Sequence, residues 1–474
     1  MLDKDIVKMA KRKEQNNMGN STEKNNIDNA VKQEPVKVKK IRKSQVRTGY
    51  NKKKDLRWEK LDNTANLFPV IASQNVSNVY RVSVTLNEEI DEVLLQKSVE
   101  KVLPYFDVFN YRLKKGMFWY YFETNKRPVP KVQKEDTYPC MYINPQTNKE
   151  YLFRVTYFER RINLEVFHVL TDGNGAFAFL KEITYQYLRY KHAEFKDMNV
   201  NGLQADTSLD KEDSYVKNYK KKAKKNYKTE KAVIVTGEKL PVNNMGIIHG
   251  YLDLAGVKTM AKKYNVTINQ LLVGTYVWSV YKECLNSMQD KRPISVCVPV
   301  NLRPYFNSST LRNFFAVVTA TFKAEKEDYT YEEVIGIIAE SLNKQINKEN
   351  LENLLSYNVS NEKNKLIRGV PLVLKNFIMK IVYNRSARAN TGTITNLGVL
   401  SIADEYKAYI DKFHAMISMS KGQNLKAAIC SYQDKLVFTF TSSVRDTAVQ
   451  KTFFRKFTEE GVNVSIESNG VYYE

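Results

Sequence analysis

A chain of 474 residues exceeds the length at which a single hydrophobic core usually stops growing, so two packed lobes are expected. With 43% hydrophobic and 12% aromatic residues, global disorder is excluded. The formal net charge of +22 attracts polyanions (nucleic acid, an anionic membrane, coenzyme A phosphates, an acidic carrier protein) without singling one out. Four scattered cysteines with no Cys-x-x-Cys pair, and no histidines at metal-ligand spacing, read as buried or incidental thiols in a reducing compartment, and no metal site is expected. The opening Met1-Leu2-Asp3-Lys4-Asp5 lacks a signal-peptide core and no apolar run is long enough to span a bilayer, which points to a cytoplasmic protein.

Residues 1–55 are poor in large apolar groups and rich in Lys, Asn, Glu and Gln, which predicts a disordered basic tail. Such a tail could tether the chain to an anionic membrane surface or simply solubilise it. Order is expected from Trp58. Tyr80, Val82, Val84 and Leu86 alternate with polar residues as a half-buried strand. Helical spacing from Ile90 to Val102 stops at Pro104. An aromatic strand, Phe118 to Phe122, follows a turn at Gly116, and Ile162, Leu164 and Val166 mark a strand that delivers His168 at its end. From Gly173 the period becomes helical, with Phe177, Leu180, Ile183, Thr184 and Tyr187 as the apolar stripe. Residues 56–200 thus form a first lobe, and the patternless, charge-rich stretch 201–245 reads as a linker.

A second lobe is expected over residues 246–474. It begins with a strand at Ile247–Leu254 and contains an apolar, central helix at Asn269–Cys284. Further strands are predicted at Ile294–Val300, Phe314–Phe322, Thr393–Leu397, Ala427–Ser431 and Leu436–Ser442, and helices at Tyr331–Gln345, Pro371–Tyr383 and Thr447–Phe457. The Pro371–Arg385 segment is apolar yet carries Lys375, Lys380 and Arg385. It could lie on a membrane, but packing over the lobe interface is the favoured reading.

One constellation carries chemistry. His168 closes a strand, and Asp172-Gly173 opens a helix. Histidine titrates near neutrality, so it can take a proton and return it. Asp172 could cap the helix or anchor a distant Arg, and Gly173 would permit a tight turn. His192, His249 and His414 lack such a setting and read as structural.

The His-x-x-x-Asp-Gly run, with Pro299-Val300-Asn301-Leu302-Arg303-Pro304, Pro371-Leu372-Val373-Leu374-Lys375-Asn376 and Thr395-Asn396-Leu397-Gly398 in that order, resembles the condensation-type acyltransferase superfamily. That superfamily includes chloramphenicol acetyltransferase, alcohol acetyltransferases and peptide-synthetase condensation domains, and bacterial alcohol acetyltransferases are the most similar branch. The resemblance implies an α/β fold of two chloramphenicol-acetyltransferase-like lobes forming a pseudo-dimer around a central tunnel. It implies a monomer that transfers an acyl group from acyl-CoA or an acyl carrier protein, used as co-substrate, to an alcohol. His168 would be the general base and Asp172 a structural residue salt-bridged to Arg, for which Arg303 is the candidate. Asn301, Thr395 and Asn396 are candidate oxyanion or tunnel residues. No bound cofactor is implied. Phe167 stands where many peptide-synthetase and wax-ester relatives have a second His. The competing reading is a catalytically silent relative or a basic protein binding polyanions or a membrane surface at the inner face of the cell. The absence of a nucleic-acid motif argues against DNA or RNA.

Overall fold

The alternating runs fold into strands, and the positions of those strands set the site. In the first half these are β1 (Trp58–Lys60), β2 (Val79–Leu86), β3 (Tyr111–Lys115), β4 (Tyr120–Thr124), β5 (Gln133–Lys134), β6 (Phe153–Phe158) and β7 (Arg161–Phe167). In the second they are β8 (Gly246–Asp253), β9 (Ile294–Asn301), β10 (Phe315–Phe322), β11 (Gly392–Val399), β12 (Ile410–Ile417), β13 (Leu425–Tyr432), β14 (Lys435–Ser442) and β15 (Val464–Ser468). The structure, a computed structural model, describes residues 58–195, 213–220, 230–241, 244–363 and 369–472. The basic tail and the lysines following Lys220 lie outside the described residues.

Three sheets organise these strands: β1-β4-β3, the five-stranded β12-β2-β7-β6-β5 and the seven-stranded β10-β9-β11-β13-β14-β8-β15. The fold class is therefore mixed α/β. On the five-stranded sheet, the apolar residues of β2 and β7 pack with helices Glu92–Val102 and Gly173–Lys191 into one core. The stripe of the second helix is centred on Phe179, Leu180 and Ile183, whereas Phe177 is only partly buried, against Phe413.

The half-buried reading of β2 is corrected: all its residues are buried. Its polar face is closed by pairing rather than by water. Arg81 meets Glu165 at 2.7 Å and Glu135 at 2.5 Å, Ser83 donates to Asn163 at 2.8 Å, and Cys140 N–H caps Glu165. Such groups tolerate burial because each finds a partner.

The seven-stranded sheet wraps a second core around helix Ile268–Leu285, which is buried on nearly all sides and starts at a Thr267/Gln270 capping box. Helices Tyr331–Gln345 and Ala448–Glu459 flank it. The charge-rich stretch between the lobes is not free of structure. Tyr215, within the short helix Ser214–Lys217, is buried, receives Thr64 Oγ1–H at 2.8 Å and donates to Phe315 O at 2.7 Å. Val233 and Val235 are also buried.

Among the features not anticipated, two bear on the site and its surroundings. Strand β12, from late in the chain, joins the five-stranded sheet by antiparallel pairing with β2, Ala415 opposite Val82. Helix Leu372–Ser386 does not pack its apolar face over the lobes; among its residues with a large apolar side chain only Leu372 is fully buried. Among the described residues no helix is long and apolar enough to cross a membrane.

Candidate active site

At the end of β7 the chain turns, Leu170 N–H donating to Phe167 O at 3.0 Å, while His168 N–H donates to Asn78 O at 3.0 Å. Tyr80 Oη–H bonds the carbonyls of Thr171 (3.0 Å) and Asp172 (2.8 Å), which holds the turn from inside. Asp172 then caps helix Gly173–Lys191: its Oδ1 accepts from the N–H groups of Asn174 and Gly175.

The same carboxylate ties the lobes together. Arg303 forks onto it, Nη1 to Oδ2 at 2.8 Å and Nη2 to Oδ1 at 3.1 Å, and Phe314 N–H donates to Oδ2 at 3.0 Å. Arg303 is fixed in turn by Thr310 O, Arg312 O and Asn301 Oδ1. The geometry makes Asp172 both a cap and an anchor, the two uses open to it on sequence grounds. Gly173 serves differently from expectation. Its backbone is not left-handed, and its missing side chain matters because a Cβ would lie 3.2 Å from Leu397 Cγ of the other lobe.

The partner of the His168 ring is Asn313, with Nδ1 3.0 Å from Asn313 Oδ1. Asn313 Nδ2 donates to His168 O and to Asp62 Oδ2, both at 3.1 Å. A carbonyl can only accept, so the amide is oriented with its oxygen toward the ring. The proton therefore sits on Nδ1, and Nε2 keeps its lone pair. Phe68 stacks on the ring with centroids 4.5 Å apart and planes 15° apart, and Tyr80 and Phe315 complete an aromatic collar. Burial holds the His168 pKa below its ordinary 6.5, which favours the neutral base at pH 7. Burial also pushes Asp62 up to about 7.

His168 opens on a cavity of about 300 Å³ walled by both lobes. Phe68, Tyr80 and Gly173 come from the first, and Asn301, Thr395 and Asn396 from the second. Asn301 Oδ1 is occupied by Arg303, and Asn396 Oδ1 receives Gly398 N–H at 2.8 Å where Gly398 turns with φ of 75°. Thr395 faces the cavity from β11.

Lys426, on β13, also lines this cavity and was not singled out by sequence. Its Nζ donates to Ser418 O and Ser420 Oγ, both at 2.8 Å, and it makes no ion pair among the described residues. Burial lowers its pKa to about 8. Asn313 and Asp62 were missed as well. Asn313 lies 145 residues from His168 and 251 from Asp62, so the chain of bonds has no local signature. The other histidines lie elsewhere: His192 ends its helix and pairs with Glu88 at 2.8 Å, and the rings of His249 and His414 meet at 4.3 Å, tilted by 47°.

No family model matches the chain, and no curated protein matches it. Solved structures do. TRI101 of Fusarium sporotrichioides, complexed with coenzyme A and T-2, has a TM-score of 0.56 at 10% identity, covering 86% of this chain and 99% of that one. Trichothecene 15-O-acetyltransferase of the same organism has a TM-score of 0.56 at 9% identity, covering 85% and 94%. The condensation domain of the monacolin K polyketide synthase MokA has a TM-score of 0.53 at 10% identity, covering 85% and 96%. Such low identities establish the fold alone: the chain has the mixed α/β fold shared by these acetyltransferase and condensation-domain structures.

Proposed function

We propose that the chain is an acyltransferase that moves an acyl group from an acyl thioester, acyl-CoA foremost, to an alcohol hydroxyl. The observation that carries this reading is the Asp62–Asn313–His168 chain, which leaves Nε2 of a neutral imidazole for an acceptor in a cavity walled by both lobes. In the proposed step the acceptor oxygen attacks the thioester carbonyl as its proton passes to Nε2. The carbon–sulfur bond then breaks, and the imidazolium returns the proton to the departing thiolate. Asp172 and Arg303 hold the turn that aims His168 and take no proton. Asn301, Thr395 and Asn396 line the cavity and are the candidates to stabilise the oxyanion. The fold neighbours support the reading: one is an O-acetyltransferase and one was seen with coenzyme A.

The test is thiol release from acetyl-CoA and longer acyl-CoAs across a panel of alcohols, amines and glycolipids. His168→Ala should lower turnover by about 10²–10⁴-fold. Full rate in that variant, or no turnover with any acceptor, would remove the reading and leave a silent, polyanion-binding relative.

A further inference from the structure

Helix Leu372–Ser386 carries its apolar residues on the outside. Val373, Leu374, Phe377, Ile378, Ile381 and Val382 recur at the spacing of one helical face, and all are exposed, Val373 by 70% and Phe377 by 63%. The opposite side is tied down: Leu372 N–H donates to Met117 O at 2.9 Å, Lys375 Nζ to Phe118 O at 3.0 Å, and Asn376 Nδ2 to Tyr120 Oη at 2.8 Å. The tethering turn adds Met117, 74% exposed, and Trp119 to the apolar surface. Exposed apolar patches of this kind mark interaction surfaces, since water disfavours leaving them bare.

Charge decides the occupant. The helix contains no Asp or Glu, Lys380 lies exposed on its flank, and Arg385 sits in its last turn. A second copy of a chain with net charge +22 would bring like charge to this face, whereas an anionic bilayer brings the opposite. An aromatic residue at the edge and cations beside an aliphatic face suit the headgroup boundary. We infer that this face docks on an anionic membrane, with the helix lying in the interface plane and Lys380 and Arg385 at the level of the lipid phosphates. Phe68 both stacks on His168 and belongs to the short helix Phe68–Ile71 that packs on this one, so the docked face lies one layer from the cavity. The docking is separate from the catalytic reading and stands or falls without it.

Flotation of the full chain with phosphatidylcholine vesicles containing phosphatidylglycerol tests this. Wild type should float with the vesicles. Phe377→Asp/Ile381→Asp keeps the basic tail and should lower the partition coefficient roughly a hundredfold. Lys380→Glu/Arg385→Glu keeps the apolar face and should weaken binding at least about thirtyfold, on anionic vesicles only. Trp119 emission should shift to the blue on binding, and Trp119→Phe should remove that part of the signal. Thermal unfolding of each variant, expected at the wild-type midpoint because the changed positions are exposed, checks that it folds. Equal flotation of wild type and Phe377→Asp/Ile381→Asp would overturn the inference. So would a wild-type dimer in light scattering that the same variant dissolves and that does not bind vesicles.

Discussion

Replacing Lys426 by Met should leave a signature in how stability depends on pH. Lys426 ordinarily titrates at 10.5, and burial in the cavity wall lowers it to about 8. Below pH 8 the lysine is charged in both folded and unfolded chains, so the full cost of burying the charge is present. Between about 8 and 10.5 the unfolded chain holds the proton that the folded chain has lost, and folding becomes more favourable as pH rises. The difference is worth about 3 kcal/mol over that range, or about 1.4 kcal/mol per pH unit. Wild type should thus gain on Lys426→Met by about 3 kcal/mol between pH 7 and pH 10.5. Alkaline ionisation of tyrosines affects both proteins and cancels. Urea unfolding of the two proteins at several pH values, compared as a difference, measures this. The hydrogen bonds to Ser418 and Ser420 set the offset between the curves, not their divergence. Parallel curves would show that the Nζ is solvated in the folded chain and would refute the reasoning.

Arg303→Met should cost about 3–5 kcal/mol in urea unfolding, because it strands a buried carboxylate, and Asp172→Asn in the same chain should recover part of the loss. A Cβ at Gly175 would lie 2.0 Å from Thr171 Oγ1 and 2.4 Å from Leu311 O, so Gly175→Ala should destabilise by about 1–3 kcal/mol. Gly336, with nothing within 4 Å, sits in an exposed helical position, and Gly336→Ala should stabilise by about 1 kcal/mol in the same assay. His249 and His414 are buried with folded pKa values below 6.5, His249 at about 3, among Arg81, Arg161, Lys412 and Glu467. The unfolded chain therefore binds protons first on acidification. Stability should be full above about pH 6.5 and fall by about 1.4 kcal/mol per pH unit for each histidine below it, and His249→Gln/His414→Gln should flatten that slope.

Period and punctuation carried much of the fold. Helix Tyr331–Gln345 was legible residue for residue, because its apolar stripe is regular and Thr330 with Glu333 forms a capping box. Strand β12 was not, since Asp411, Lys412 and His414 break its alternation and its partner β2 lies more than 300 residues earlier. Helix Lys348–Lys363 escaped notice although Leu351, Leu354, Leu355 and Val359 recur at helical spacing, because Asn, Glu and Ser dominate the stretch between them. At the site, His168, Asp172 and Arg303 could be read because a motif and a segment order mark them. Asn313 and Asp62 could not, since an asparagine before a strand and an aspartate near the start of order look like turn residues. Lys426 was concealed by its own chemistry. On an alternating strand a lysine normally marks the solvent face, and here that face is the cavity wall. The helix from Leu372 to Ser386 misled for the converse reason: period locates an apolar face but not what covers it.

Strand β12 also imposes an order on synthesis. Residues 58–195 leave the ribosome well before β12 and hold most of what the five-stranded sheet needs, but β2 has no neighbour on one side until Ile417 has emerged. At roughly 5–20 residues per second the wait is on the order of tens of seconds. Throughout it, the nascent first lobe presents a long, apolar, unpaired edge of the kind that templates association between chains. Chaperone occupancy of the nascent chain should therefore be heaviest in this interval and end when β12 docks. A chain cut between the lobes would keep that edge bare permanently.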